Sequence, residues 1–96
     1  MDDIRIVILQ RGYIFVARVP DPTAHVFWLP WSRRRTIRRW GTTQGLGQLC
    51  DGPTSETQLD NLVGEGCSPL GSIVEILTVS PQGQKAWAKF LDGSKK

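Results

Sequence analysis

The chain has 96 residues, a formal net charge of +3 and 22% charged residues, a size that fits one small domain and excludes a multidomain protein. Apolar residues make up 40% of it, which excludes disorder throughout, and runs such as residues 6–9 fall far short of the roughly 20 apolar residues that span a bilayer. The charge is uneven: residues 1–48 hold eight arginines, no lysine and three aspartates, whereas residues 49–96 hold four lysines and six acids. This asymmetry predicts an anionic partner bound by one part of the fold.

The cysteines and the first residues predict a cytoplasmic protein. The chain opens Met1-Asp2-Asp3, which is not the pattern of a secretory leader. Cys50 and Cys67 form no CxxC pair, so we expect two free thiols in a reducing compartment. A domain this small is marginally stable, and four tryptophans are typical of interfaces, so we expect a dimer or larger homo-oligomer.

Residues 4–10 and 13–19 are dense in β-branched residues and predict two strands of a hairpin that turns at Arg11-Gly12. Because both strands are apolar on nearly both faces, we expect the hairpin to be central and covered. Residues 25–29 predict a third strand, closed by Pro30.

Residues 31–66 are less regularly patterned and are punctuated by glycine, proline and threonine. Residues 36–40 predict either a short strand or a single helical turn. Thr43 predicts the N-cap of a short helix that reaches Cys50. An ordered loop this long in so small a domain is usually functional.

Residues 72–79 predict a strong strand, and Ser80-Pro81 predicts the start of a helix. Trp87, Phe90 and Leu91 share one face of that helix and are expected to cover the sheet, or alternatively to form the oligomer contact.

Together these elements predict a single α+β domain over residues 1–96, a mostly antiparallel β-sheet with a long Gly/Thr-rich loop and a C-terminal helix. The expected boundaries are a core over 4–79, the helix over 80–92 and a flexible tail over 93–96.

The strongest chemical signal is five arginines between positions 33 and 39, in a stretch without carboxylates from Asp21 to Asp51. Arg38 and Arg39 are expected to hold phosphates, and the neighbouring Trp40 offers a flat face on which a base can stack. Backbone amides, threonine hydroxyls and close-approaching glycines would complete the site. The predicted ligand-binding residues are Arg38, Arg39, Trp40, Gly41, Thr42, Thr43, Gly45, Gly47 and Thr54. Solvation without a ligand is expected more for Arg33, Arg34 and Arg35 than for Arg38 and Arg39, and whether the three join the site stays open.

The central string also carries a resemblance. The sequence IRRWGTT over 37–43, GLG over 45–47 and GPT over 52–54, followed by Thr57, Leu59 and Asp60, looks like the signature of a family of small uncharacterised phage and prophage proteins of about this length. The resemblance covers roughly residues 4–79, and it implies a viral source. Two departures are Gln44, where the family often has lysine, and the helix over 81–91, which looks like an extension.

A viral source, together with the arginine–tryptophan pair, implies a sponge: a binding protein that sequesters a small phosphate-bearing, cyclic oligonucleotide-like immune messenger in the infected bacterial cytoplasm. The alternatives are a DNA- or RNA-binding protein that uses the arginine-rich loop, and an inhibitor of a host protein.

We expect no enzyme activity, no cofactor, no metal site and no membrane partner. Acid–base chemistry would depend on His25 or on Asp51, Glu56 and Asp60, and nothing in the spacing supports Cys50 with His25 as a nucleophile pair. Asp60 is expected to pair with Arg38 or Arg39.

Overall fold

The computed structural model describes residues 2–92, which form a sheet of six antiparallel strands and one α-helix, confirming the predicted α+β class. The strands are β1 (Ile4–Leu9), β2 (Ile14–Arg18), β3 (Trp28–Arg39), β4 (Gln58–Leu59), β5 (Val63–Pro69) and β6 (Ile73–Thr78), and the helix is α1 (Pro81–Leu91). The strand order is β4-β3-β2-β1-β6, and β5 pairs with β3 as well. The predicted tail over 93–96 lies outside the described residues.

The predicted hairpin of β1 and β2 is confirmed, with Ile4 opposite Arg18 and Ile8 opposite Ile14. It is central, because β1 also pairs with β6 and β2 also pairs with β3. Arg11 and Gly12 turn the chain between the two strands with positive φ angles of 70° and 82°. The predicted strand before the helix is also confirmed, as β6.

Side-chain alternation along the hairpin builds a core on each face of the sheet. On one face, Ile6 and Val16 pack in a cluster with Trp87 and Leu91 of α1. On the other face, Val7 and Phe15 pack with residues that include Ala17, Val19 and Leu29. The hairpin is therefore covered on both sides, as its apolar pattern predicts.

The third strand differs from its prediction at both ends. The strand β3 begins only at Trp28, and it continues through Pro30 to Arg39. Pro30 is tolerated there because the register with β2 reaches only Ser32, so Pro30 lies opposite β5 alone. Residues 36–39 are thus strand rather than helical turn, and the weakly patterned stretch contains most of β3 together with β4.

A β-bulge interrupts β3 within its run of arginines. Val16 is opposite Arg35 and Arg18 is opposite Ser32, so Arg33 and Arg34 both face Ala17. Arg33 takes a positive φ of 52°. The bulge redirects the neighbouring arginines toward different parts of the molecule.

The predicted helix from Thr43 to Cys50 is wrong in its start and its type. A 3₁₀-helix runs over Leu46–Asp51, and the residue before it is Gly45 with a φ of 93° and no side-chain cap. The Thr43 N–H instead donates to Gln48 Oε1. Leu49 of this segment is fully buried, so a stretch predicted as ligand loop contributes to the core.

The helix α1 begins as predicted, with Pro81 in its first turn and the Ser80 hydroxyl accepting from the Gly83 N–H at 3.0 Å. Trp87 and Leu91 are buried against the sheet, whereas Phe90 is 39% exposed. The helix lies so close to the 3₁₀ segment that a Cβ on Gly83 would be 2.1 Å from the Cys50 carbonyl oxygen. No helix of residues 2–92 is both long enough and apolar enough to cross a membrane.

Candidate ligand-binding site

The five clustered arginines lie in different environments. Two of them contact the C-terminal end of α1. Arg33 Nη1 donates to the Leu91 carbonyl at 3.3 Å, and Arg35 Nη1 donates to the Phe90 carbonyl at 3.3 Å. From β2, Arg18 forms a two-pronged ion pair with the Asp92 carboxylate. Cationic side chains suit this position because the last carbonyls of a helix lack backbone partners and carry partial negative charge.

The contacts at the end of α1 affect the ionisation of the Asp92 carboxyl. The hydrogen bond from Arg18, helped by the charges of Arg18 and Arg33, holds the pKa of the Asp92 carboxyl below its ordinary value against an opposing effect of burial. Arg33 and Arg35 therefore contact the end of α1. Arg33 is nevertheless 47% exposed, in keeping with the expectation of a solvated side chain, whereas Arg35 is partly buried.

Arg34 has a third environment. Its guanidinium lies 4.2 Å from the centre of the Phe15 ring and 5.0 Å from that of Trp31, which is cation–π stacking. Burial lowers the pKa of this guanidinium. Arg34 is thus held against the core and is not a free anchor for phosphate.

Arg38 and Arg39, the two predicted phosphate contacts, differ from each other. Arg38 pairs with Asp60, with its Nη2 at 2.7 Å and its Nε at 2.8 Å from Oδ1. This confirms that Asp60 pairs with one of the two arginines. Arg39 is exposed, and within residues 2–92 no polar partner is recorded for its side chain.

A surface groove of about 540 Å³ brings Arg38 and Trp40 together. We call it the Arg/Trp groove. Its lining residues come from the β1–β2 turn, the end of β3 and the segment after β4: Arg11, Gly12, Tyr13, Thr36, Ile37, Arg38, Trp40 and Asp60. It thus holds two guanidinium groups, two aromatic rings and one carboxylate.

The antiparallel register of β2 and β3 explains this grouping. Phe15 is opposite Thr36, so moving two residues along each strand brings Tyr13 beside Arg38. The turn before Tyr13 carries Arg11 to the same edge. Tyr13 is 64% exposed and Trp40 is 42% exposed, so each ring leaves area free for a ligand.

Gly41 and Thr54, both predicted to touch ligand, instead help to fix the backbone next to Trp40. The Thr54 hydroxyl donates to the Gly41 carbonyl at 2.6 Å, and the Thr57 hydroxyl donates to the Trp40 carbonyl at 2.6 Å. Gly41 has a φ of 69°, and a Cβ there would be 2.4 Å from the Glu56 carbonyl carbon. These residues build the support of the groove and do not line it.

The remaining predicted residues, Thr42, Thr43, Gly45 and Gly47, are also absent from the groove lining. The backbone amides of Thr43 and Gln44, which were candidates for phosphate binding, both donate to Gln48 Oε1 at 3.1 and 3.0 Å. Gly45 and Gly47 are exposed. The structure therefore brings together Arg38 and Trp40 alone from the predicted set.

Sequence reasoning missed Arg11 and Tyr13 as site residues. The sequence predicts Arg11 only as part of a turn, and the signal that could identify it is an arginine at a turn position that ordinarily takes glycine or asparagine. The proximity of Tyr13 depends on the register of β2 against β3, which a single sequence does not reveal.

A second cavity of about 550 Å³ has the opposite chemistry. Its lining includes Asp2, Trp31, Glu65 and the exposed Cys67, and no arginine or lysine is among the residues that line it. Two carboxylates without a cation disfavour an anionic ligand, so the Arg/Trp groove is the better candidate site.

The environment of Cys50 does not favour a nucleophile. Burial, helped by the Asp51 charge, raises the pKa of the Cys50 thiol, which disfavours the thiolate that a nucleophile needs. Across the described chain, 2–92, no group of three or more His, Cys, Asp or Glu side chains is arranged to hold a metal ion.

No family model, no curated protein and no solved structure matches this chain. The resemblance to small phage proteins stays a prediction.

Proposed function

We propose that the protein binds a small phosphate-bearing nucleotide in the Arg/Trp groove. Arg11 and Arg38 would hold phosphate through charge-assisted hydrogen bonds, and Trp40 and Tyr13 would stack on bases. One observation carries the proposal. Arg38 and Trp40, selected from the sequence as a phosphate-and-base pair, line one groove with a second arginine and a second aromatic ring.

The biological role that we propose is sequestration. The resemblance to phage proteins implies a viral sponge that removes a cyclic oligonucleotide-like immune messenger from the cytoplasm of an infected bacterium. Guanidinium groups and ring faces serve binding without turnover, so the proposal includes neither catalysis nor a cofactor.

The environments of the arginines favour a small ligand over a nucleic acid. A polyanion is held by many free cations along its backbone. Here Arg33 and Arg35 contact the end of α1, and Arg34 is stacked on Phe15 and Trp31. Of the five clustered arginines, only Arg38 and Arg39 make neither kind of contact within residues 2–92, and Arg38 lines the groove.

The proposal also includes self-association into a dimer or larger assembly. Three consecutive residues, Val26, Phe27 and Trp28, are 76%, 76% and 56% exposed. A continuous apolar patch of this kind is typical of a contact surface.

Calorimetry against cyclic di- and trinucleotides, with single- and double-stranded DNA in parallel, tests the function. We expect saturable nucleotide binding that weakens about tenfold or more in Trp40→Ala, because stacking on an aromatic ring contributes about 1–3 kcal/mol per base. Arg38→Ala should weaken binding similarly. Arg39→Ala removes the same charge from the neighbouring residue, which does not line the groove, and should leave affinity nearly unchanged.

Three results would contradict the proposal. Strongly salt-dependent DNA binding without nucleotide heat would favour a nucleic-acid role. Loss of nucleotide binding in Arg39→Ala but not in Arg38→Ala would show that the ligand binds outside the groove. Recovery of a chemically altered nucleotide would replace sequestration with catalysis.

A further inference from the structure

The carboxylate of Asp60 is held at the groove by its backbone. The Asp60 N–H donates to the Thr36 carbonyl at 2.8 Å, and the Asp60 carbonyl accepts from Arg35 Nε at 2.8 Å. Asp60 is thereby tied to β3 at two points. Its side chain is 36% exposed and lines the groove.

The side chain contacts only part of the arginine beside it. Both Arg38 donors, Nε and Nη2, reach the same oxygen, Asp60 Oδ1. Within residues 2–92 no hydrogen bond is recorded for Asp60 Oδ2. The carboxylate therefore offsets one cation of the groove, and Arg38, which is 69% exposed, keeps further N–H groups for a ligand.

The charges that line the groove are consequently those of Arg11, Arg38 and Asp60, a net charge of +1. A phosphodiester carries one negative charge, whereas a terminal phosphate carries about −1.5 to −2 at pH 7. The additional charge of a terminal phosphate would be attracted by both guanidinium groups and repelled by the Asp60 carboxylate, which therefore offsets part of its advantage. Like charges about 4 Å apart weaken binding about fivefold even in water.

We infer that Asp60 is a specificity residue, which reduces the advantage that a nucleotide ending in a doubly charged phosphate would otherwise have in the Arg/Trp groove over one with a singly charged phosphodiester. This inference rests on the proposed function and names the ligand class within it. A cyclic oligonucleotide belongs to the singly charged class because all its phosphates are diesters.

A purely structural role fits Asp60 less well. The bonds that tie Asp60 to β3 come from its backbone, and among residues 2–92 its side chain is bonded only to the largely exposed Arg38. Exposed ion pairs contribute little to stability. Replacing the carboxylate by an amide of the same shape keeps an oxygen that accepts from Arg38, so Asp60→Asn should fold and change chiefly the charge of the groove.

The experiment compares the 3′,5′-cyclic monophosphates of four nucleosides with the 5′-monophosphates of the same nucleosides. It is done at pH 7.5, which is about 1.5 units above the second phosphate pKa. These ligands share a base and a sugar and differ in phosphate charge. We expect the affinity for the 5′-monophosphate, relative to that for the cyclic form, to be about fivefold lower in wild type than in Asp60→Asn. The change in this ratio should come mainly from tighter binding of the 5′-monophosphate by Asp60→Asn.

Glu56→Gln is the matched control. Glu56 is exposed and does not line the groove, so this variant removes the same charge from the protein but not from the site. It should keep the wild-type preference.

The outcomes separate this inference from the function on which it rests. Binding of both ligand forms with the same preference in wild type and Asp60→Asn would overturn the role of Asp60 and leave nucleotide binding standing. An equal change in Asp60→Asn and Glu56→Gln would overturn it too, because the effect would then come from overall charge. Failure of wild type to bind either form or the cyclic di- and trinucleotides would overturn both proposals.

Discussion

Arg11 has a backbone conformation that most side chains avoid. Its φ of 70° lies in the left-handed region, which costs an ordinary L-residue about 1–2 kcal/mol and costs asparagine or glycine less. Its side chain lines the Arg/Trp groove. Backbone strain of this kind concentrates at functional sites, so we interpret Arg11 as a residue retained for binding at some expense of stability.

This interpretation predicts that Arg11→Asn raises the stability of the fold and lowers the affinity for nucleotide. We expect the free energy of unfolding to rise by about 0.5–1 kcal/mol, since asparagine tolerates the left-handed conformation. Nucleotide affinity should fall about tenfold, because the groove loses one of its two guanidinium groups. Urea unfolding and calorimetry measure the two quantities on the same sample.

Arg39→Asn is the control for Arg11→Asn, since it removes an arginine from an exposed strand position outside the groove. It should produce neither the gain in stability nor the loss of affinity. A simultaneous fall of both quantities in Arg11→Asn would contradict the interpretation, because it would mean that the arginine supports the turn.

The helix α1 depends at its end on residues from two strands. Arg18 of β2 and Arg33 of β3 both reach Asp92 or the carbonyl beside it. The Asp92 side chain is only 23% exposed. Contacts with this little exposure are less screened by water than ordinary surface ion pairs.

The lowered pKa of Asp92 predicts how stability depends on pH. A carboxyl whose pKa is lower in the folded state stabilises the fold above its unfolded value of about 3.8, and this contribution is lost as pH falls through the folded pKa. Asp92→Asn should therefore be less stable than wild type by about 1–2 kcal/mol at pH 7, and the difference should shrink below pH 4.

Urea unfolding at pH 7, 4 and 3 measures this difference. Asp3→Asn is the control, because Asp3 is 71% exposed and its nearest approach to Arg5 is 4.0 Å. It should change stability little at any of the three pH values. A stability difference for Asp92→Asn that did not vary with pH would contradict the assignment.

At the scale of the whole molecule, the apolar patch of Val26, Phe27 and Trp28 predicts the assembly state. Sedimentation velocity at micromolar protein should show a dimer or larger species. Phe27→Asp should convert it to monomer, since a charge in an apolar contact loses its hydration.

Val74→Asp is the matched control for Phe27→Asp. Val74 is 64% exposed, but it lies on β6, outside the patch. That variant should keep the wild-type assembly. A monomeric wild-type protein would contradict the proposed self-association.

The fold was predictable where its signals are local. β-branched runs gave the hairpin and β6, and Ser80-Pro81 gave the start of α1. The strand β5 contains two glycines and six exposed residues out of seven, so it has no apolar alternation to read. It is specified by pairing with β3. The strand β3 is itself hard to recognise in the sequence, because it contains Pro30 and a run of arginines.

The candidate site was predictable only in part, for a related reason. Residue type alone identified Arg38 and Trp40 as a pair, and they line one groove. Arg11 and Tyr13 join them through strand register. The roles of Thr54 and Gly41 depend on the contact between residues 40–41 and 54–57, and that contact is likewise tertiary.

The side chain of Gln84 has a consequence for synthesis on the ribosome. Its amide accepts from the Ile4 N–H and donates to the Ile4 carbonyl, both at 2.8 Å across 80 positions of sequence. The first strand to emerge is thus completed by β6 and α1, which emerge much later. Until then the nascent hairpin shows apolar surface on both faces, and we expect chaperones that bind emerging chains to hold it during translation.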